Sequence, residues 1–280
     1  MRRKYNILIY LMLMMLVSGT LFYEVKAQTP AQDCSKIIGD AAIAGCDEAI
    51  RLNPNDAAAY FNRGLVWRIK GEIKLAFDDF NEAIRLNPKD EKAYVARGIL
   101  WSNKGDTDRA ISDFNEAIRL NSKDYHTYYK RGLEYHENQN LYLAIADYNA
   151  AIRLNPESAD AYYYRGLAWL HNHDEDRAIA DFNDTLRLKP QYAKAYYTRG
   201  GIWRNRGDQT RAIADYKEAI RSNSPYNIAY RDLGKIYEEM GELGQALTYF
   251  RNYARLYPEY GDGPKAIQRI ENKIDAKKAR

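Results

Sequence analysis

The only closely spaced histidines in this 280-residue sequence are His171 and His173, followed directly by Asp174, Glu175 and Asp176. Imidazoles and carboxylates can hold zinc when four of them close a tetrahedron. The same polar run is also what a turn between two helices requires. His136 would meet His171 only if their two helices stood side by side, and two imidazoles without a third ligand make a poor metal site. The thiols are Cys34 and Cys46. Carboxylates are numerous but scattered, as on any solvated helix surface. No phosphate loop, dinucleotide fingerprint or nucleophile elbow is present. The reading expects no catalytic residue, no metal and no cofactor.

Charge narrows the partner classes. The formal net charge is +4. Residues 1–27 hold Arg2, Arg3, Lys4 and Lys26 against Glu24, which leaves the remainder at +1. A near-neutral body gives no basic face for DNA or RNA. Arg2-Arg3-Lys4 leads into an apolar run from Ile7 to Val17, then Ser18-Gly19-Thr20, Leu21-Phe22-Tyr23 and Val25-Lys26-Ala27. This order is that of a secretory signal peptide over residues 1–27, cut before Gln28. The alternative is an uncut membrane anchor over residues 5–23, the one expected membrane contact. Asp33 beside Cys34 does not suit a lipid-attachment box. The mature chain is expected to be periplasmic or secreted. An oxidising compartment favours a Cys34–Cys46 disulfide, with two buried thiols as the alternative.

The elements that position these residues are repeats. Residues 57–260 divide into six units of 34 residues without gaps: 57–90, 91–124, 125–158, 159–192, 193–226 and 227–260. Position four of each unit is Tyr60, Tyr94, Tyr128, Tyr162, Tyr196 or Tyr230, and position eight is Gly64, Gly98, Gly132, Gly166, Gly200 or Gly234. Position eleven is always Trp or Tyr, position twenty always Ala and position twenty-four always Phe or Tyr. Positions four, eight and eleven share one face of a helix, and positions twenty, twenty-four and twenty-seven share a face of a second. Gly at eight and Ala at twenty let the two helices approach closely. Gly at position fifteen (Gly71, Gly105, Gly207 and Gly241) suits a left-handed cap. Gln139 and His173 replace it in two units, whose turns are therefore expected to differ.

This pattern resembles the tetratricopeptide repeat family, over 204 of the 280 residues. The resemblance implies an all-α fold: a right-handed superhelical solenoid of antiparallel helix pairs. Its ends need covers, because a lone hairpin cannot bury its apolar face. Residues 28–56 read as a degenerate N-terminal pair that brings Cys34 near Cys46. Residues 261–280 read as a capping helix starting at Pro264, with Ala266, Ile267, Ile270 and Ile274 as its apolar stripe. Arg at position seven (Arg63, Arg97, Arg131, Arg165, Arg199) and Asp at twenty-three (Asp79, Asp113, Asp147, Asp181, Asp215) vanish together in the last unit. That covariation suggests a ladder of ion pairs between packed helices; the alternative is two independent surface preferences.

In the family the first helices line a concave groove. Carried over, this places Phe61, Val95, Tyr129, Tyr163 and Tyr197 at position five, and Lys130, Tyr164 and Thr198 at position six, in that groove. Leu133, Leu167, His136, Leu170, His171, Arg204 and Asn205 fill its middle, and Arg231, Asp232, Lys235, Glu238 and Glu239 make one end charged. Tyr, used 25 times against 7 Phe, offers rigid area with a polar tip. The expected role is an exported scaffold that binds a protein or peptide; its oligomeric state is open. The alternatives are an envelope carbohydrate or peptidoglycan module, in which Tyr stacks on sugar rings, and tyrosines that only pack between neighbouring helices.

Overall fold

The computed structural model describes residues 34, 39–222, 227–258 and 261–279. The export segment expected over residues 1–27, and most of the first helix of the degenerate pair, lie outside the described residues. Among the described residues there are fourteen α-helices and no strand. The described residues fall into two compact units, divided between Asp79 and Phe80.

In the first unit, α1 (Asp40–Leu52) packs on α2 (Ala57–Lys70), and α3 (Ile73–Leu86) begins. Asp56 caps α2 by accepting the Ala59 N–H at 3.1 Å, which satisfies one of the four amides a helix start leaves unpaired. Gly71 closes α2 at φ 81°. Cys34 and Cys46 are placed in disulfide geometry, their Cα atoms 4.4 Å apart, and both are buried beside Ala49 and Ala59. Arg63 gives two N–H bonds to the Asp79 carboxylate, at 2.8 and 2.6 Å, and a third to Asp47 at 2.6 Å.

The second unit holds α4 (Glu91–Asn103), α5 (Thr107–Leu120), α6 (Tyr125–Glu137), α7 (Leu141–Leu154), α8 (Ala159–His171), α9 (Glu175–Leu188), α10 (Ala193–Asn205), α11 (Gln209–Ser222), α12 (Asn227–Glu239), α13 (Leu243–Leu256) and α14 (Asp262–Lys278). Each even-numbered helix up to α12 pairs with the one that follows, and each second helix then packs on the next first helix. Helix starts fall on the first residues of the sequence units. Asp90, Asp124 and Ser158 cap first helices, and Asp106, Asn140 and Asp174 cap second helices.

The small residues act as their spacing predicts. A methyl group at Gly132 would lie 2.7 Å from a Tyr148 ring carbon, one at Gly166 2.8 Å from Phe182, and one at Gly234 2.9 Å from Phe250. Opposite them Ala110, Ala144, Ala178, Ala212 and Ala246 are fully buried. Each pair thus interlocks glycine backbone with aromatic ring, and that contact offsets the roughly 0.5–1 kcal/mol cost of a mid-helix glycine.

The turns at Gln139 and His173 do not differ from the glycine turns. Both residues adopt positive φ, 58° and 60°, beside 79° at Gly105. Gln139 and Asn140 donate backbone N–H groups to His136 and Tyr135, as Gly105 and Asp106 donate to Ser102 and Trp101. Hydrogen bonding and packing at the hairpin override the left-handed penalty of about 1–2 kcal/mol for a residue with a side chain.

The Arg–Asp ladder is present and carries an additional rung. Arg97, Arg131, Arg165 and Arg199 each give two N–H bonds to Asp113, Asp147, Asp181 and Asp215, at 2.6–2.9 Å. Each arginine sends a further N–H back to position twenty-five of the preceding repeat: Asn81, Asn115, Asn149 and Asn183. The ladder therefore ties helices within a hairpin and each hairpin to the one before it. Each arginine also lies over the position-four tyrosine one turn earlier, for example Arg165 at 5.4 Å from the Tyr162 ring centre. In the last repeat Leu233 is buried instead, Lys217 stands where the asparagine was, and Tyr237 stacks on Tyr249 at 5.4 Å.

The closing helix α14 starts at Asp262, two residues before the expected Pro264. Pro264 then occupies the first turn, where its missing N–H costs nothing. Ala266 and Ile270 are buried, and Ile267 and Ile274 pack beside them. Arg269 and Lys273 of α14 grip Glu238 of α12, with N···O distances of 2.7–2.9 Å. Those bonds, led by Arg269, hold the Glu238 pKa down to about 2.

Candidate functional site on the first-helix face

Within the second unit, first helices meet by a constant offset. Tyr129 contacts Tyr164, with ring centres 5.7 Å apart. His136 Nε2 lies 2.8 Å from His171 Nδ1. Tyr197 donates its hydroxyl to Asp232 at 2.9 Å, and Arg204 donates to Glu239 at 2.7 Å. Each partner sits 35 residues on, so position n of one first helix touches position n+1 of the next. That offset arises from the rotation between successive hairpins.

The tyrosines of these helices differ in burial. Tyr163 is buried, packed against Tyr164, Phe182 and Tyr192. It belongs to the core between α8 and its neighbours, although position five seemed to face the groove. Tyr129, Tyr164 and Tyr197 are half-buried, as are Lys130, Leu133, Leu167 and Arg204, while His171 and Asn205 are exposed. Phe61 is half-buried in α2 of the first unit. Glu238 leaves the expected charged end, because α14 captures it.

Leu133, His136, Glu137, Gln139, Tyr164 and His171 line a cavity of about 240 Å³. His136 is almost wholly buried at its edge. Burial, and then the neighbouring His171, push its pKa down, which disfavours the charged form of His136. Burial raises the Tyr129 and Tyr197 phenols, the latter helped by Asp232, so both stay protonated hydrogen-bond donors. Tyr148 lies beneath, with Tyr129, Leu133 and Tyr164 packed over it. Its buried hydroxyl has no partner among the described residues. Leu133, His136, Tyr164 and His171 were expected in the groove; that they close a cavity together with Glu137 and Gln139 depends on the offset between hairpins. Among the described residues, no three His, Cys, Asp or Glu side chains converge on one point. No helix among them is long and apolar enough to cross a membrane.

Tetratricopeptide repeat models match residues 57–90, 95–153, 129–193, 172–228 and 204–261. The chain belongs to the tetratricopeptide repeat family. Solved structures of similar fold include MamA, 25% identical over 57% of this chain and 93% of that one, with a TM-score of 0.55. The pilF protein of Pseudomonas aeruginosa is 18% identical over 82% and 99%, with a TM-score of 0.65. YrrB is 22% identical over 66% and 95%, with a TM-score of 0.57. No curated protein sequence matches this chain. Tetratricopeptide repeats form a protein–protein interaction fold, and the interlocked hairpins here are of that kind.

Proposed function

We propose that this chain is an exported, non-enzymatic scaffold that holds a peptide or partner-protein segment against the tyrosine face of α6, α8 and α10. One observation carries the reading. Tyr129, Tyr164 and Tyr197 are half-buried, yet each ring is fixed by a neighbour on the adjoining first helix. Pre-set aromatic area lowers the ordering cost of association. The adjoining cavity, apolar at Leu133 and polar at His136, His171 and Glu137, suits an inserted side chain. YrrB, which shares the fold, is described as having an unusual peptide-binding site. Fold kinship alone assigns no ligand.

The test replaces Tyr129, Tyr164 and Tyr197 together by Ala, with crosslinking pull-down from the native compartment as readout. Capture should be lost while the helical circular dichroism spectrum persists. Undiminished capture would move the site elsewhere on the molecule. A glycan array should stay silent; reproducible sugar binding would favour the envelope-carbohydrate reading instead. Export and an oxidised Cys34–Cys46 pair belong to the same proposal. Mass spectrometry of the native protein should find Gln28 at the N-terminus and no alkylation of either thiol before reduction.

A further inference from the structure

Position nine of the first helix carries Leu65, Ile99, Leu133 and Leu167 in the first four repeats but Gly201 in the fifth. A methyl group built on Gly201 meets one atom within 4 Å, the hydroxyl oxygen of Tyr216 at 3.8 Å. Tyr216 itself is 98% buried, since only 2% of its surface remains accessible. Its ring is wedged against Gly200, 3.0 Å from where a methyl there would stand, and against Tyr197 at 5.4 Å. Four other repeats place Phe at this position. Tyr148 is the other exception, and Leu133 packs over it. Gly201 provides no such cover. The Tyr216 hydroxyl therefore reaches the first-helix face through a gap, and no hydrogen bond to it forms among the described residues.

Two bridges between α10 and α12 bound the gap one turn to either side: Tyr197 to Asp232, and Arg204 to Glu239. Asp232 accepts from Tyr197 and Arg231 and has Lys235 at 3.9 Å. Glu239 accepts from Arg204. Both flanking carboxylates are thus engaged, against three cations. Beside them remain donors not bonded to either carboxylate: the Tyr216 O–H and further N–H groups of Arg204 and Arg231. A guanidinium can only donate, and an ionised carboxylate can only accept. Burial, together with the Asp232 charge, pushes the Tyr216 pKa up to about 12, which keeps the phenol protonated.

We propose that the gap over Gly201 is a side-chain pocket for an Asp or Glu of the bound peptide, with the Tyr216 hydroxyl donating from its floor and Arg204 from its rim. This rests on the scaffold reading above and adds to it the chemistry of one ligand residue. A random peptide library displayed on phage, panned against the full chain, supplies the probe. Selected peptides should carry an acidic residue whose replacement by its amide weakens binding roughly tenfold or more. Tyr216→Phe should cause a similar loss, and the two losses should not add. Gly201→Leu should abolish the acidic preference. Phe and Leu are the residues other repeats place at these positions, so both variants should keep the wild-type melting curve. Binders lost in Tyr129→Ala and Tyr164→Ala but indifferent to Tyr216→Phe and Gly201→Leu would overturn the pocket and leave the scaffold standing. A library yielding no binder that depends on the tyrosine face would overturn both.

Discussion

Removing Asp147 tests the ladder most directly. Its side chain is 7% exposed and accepts two N–H bonds from Arg131, whose side chain is 18% exposed. Asp147→Ala leaves a largely buried guanidinium with Asn115 as its remaining hydrogen-bonded partner. Breaking a buried pair on one side costs about 3–5 kcal/mol. Arg131 keeps some access to water, which places the expected loss near 3 kcal/mol. Asp174 is the comparison. Its ion pair with Arg177 is 59% exposed on the arginine side and contributes little. It also caps α9 by accepting the Arg177 backbone N–H at 3.0 Å, so Asp174→Ala should cost about 1 kcal/mol. The assay is urea unfolding followed by circular dichroism, with the slope checked because repeat arrays can lose two-state behaviour. The double replacement Arg131→Met, Asp147→Leu removes both charges and should recover most of the loss. Equal destabilisation by Asp147→Ala and Asp174→Ala, or a double variant as unstable as the two single losses summed, would refute the ladder.

Three further outcomes follow from single residues. Gln139→Gly and His173→Gly should each raise stability by about 1 kcal/mol, since both positions hold positive φ; a loss in urea melts would show that the side chains contribute more than the strain costs. Tyr148→Phe removes a buried hydroxyl without a partner among the described residues and should stabilise by about 1 kcal/mol; a marked loss in the same melts would mean that the hydroxyl is satisfied. His136 has a folded pKa below its ordinary 6.5. The folded chain then binds this proton less readily than the unfolded chain. Its share of stability is complete above about pH 6.5 and falls as pH drops from there toward the lower folded value. The melting temperature should fall on acidification across that window, and His136→Gln should flatten the fall; an unchanged slope would count against a buried neutral imidazole.

Much of the fold was legible because each local rule recurs in four to six of the six repeats. Gly at eight against Phe or Tyr at twenty-four reports a contact inside one hairpin, so its spacing is fixed by helix geometry alone. The joint loss of Arg and Asp at Leu233 and Tyr249 marked the pairs for the same reason. Pro264 misled by two residues, since proline fits anywhere in a first turn. Gln139 and His173 misled because backbone hydrogen bonds, which composition does not show, outweigh residue preference.

Residue types and their spacing suffice for the hairpins: where helices start, which small residues they share, and which charges join their two halves. What lies between hairpins is set by packing in three dimensions. Adjacent tyrosines such as Tyr163 and Tyr164 differ by one step of helical rotation, and the sequence treats them alike. Within residues 80–280 Tyr163 is buried among Tyr164, Phe182 and Tyr192, whereas Tyr164 stays half-buried and meets Tyr129 of the preceding first helix across a 35-residue offset. That offset also pairs His136 with His171, and packing of each hairpin on the one before lets Arg131 reach back to Asn115. Contacts within a hairpin repeat with the chain and are visible as periodicity. The rotation from one hairpin to the next is a sum over many packed side chains, and no single spacing encodes it.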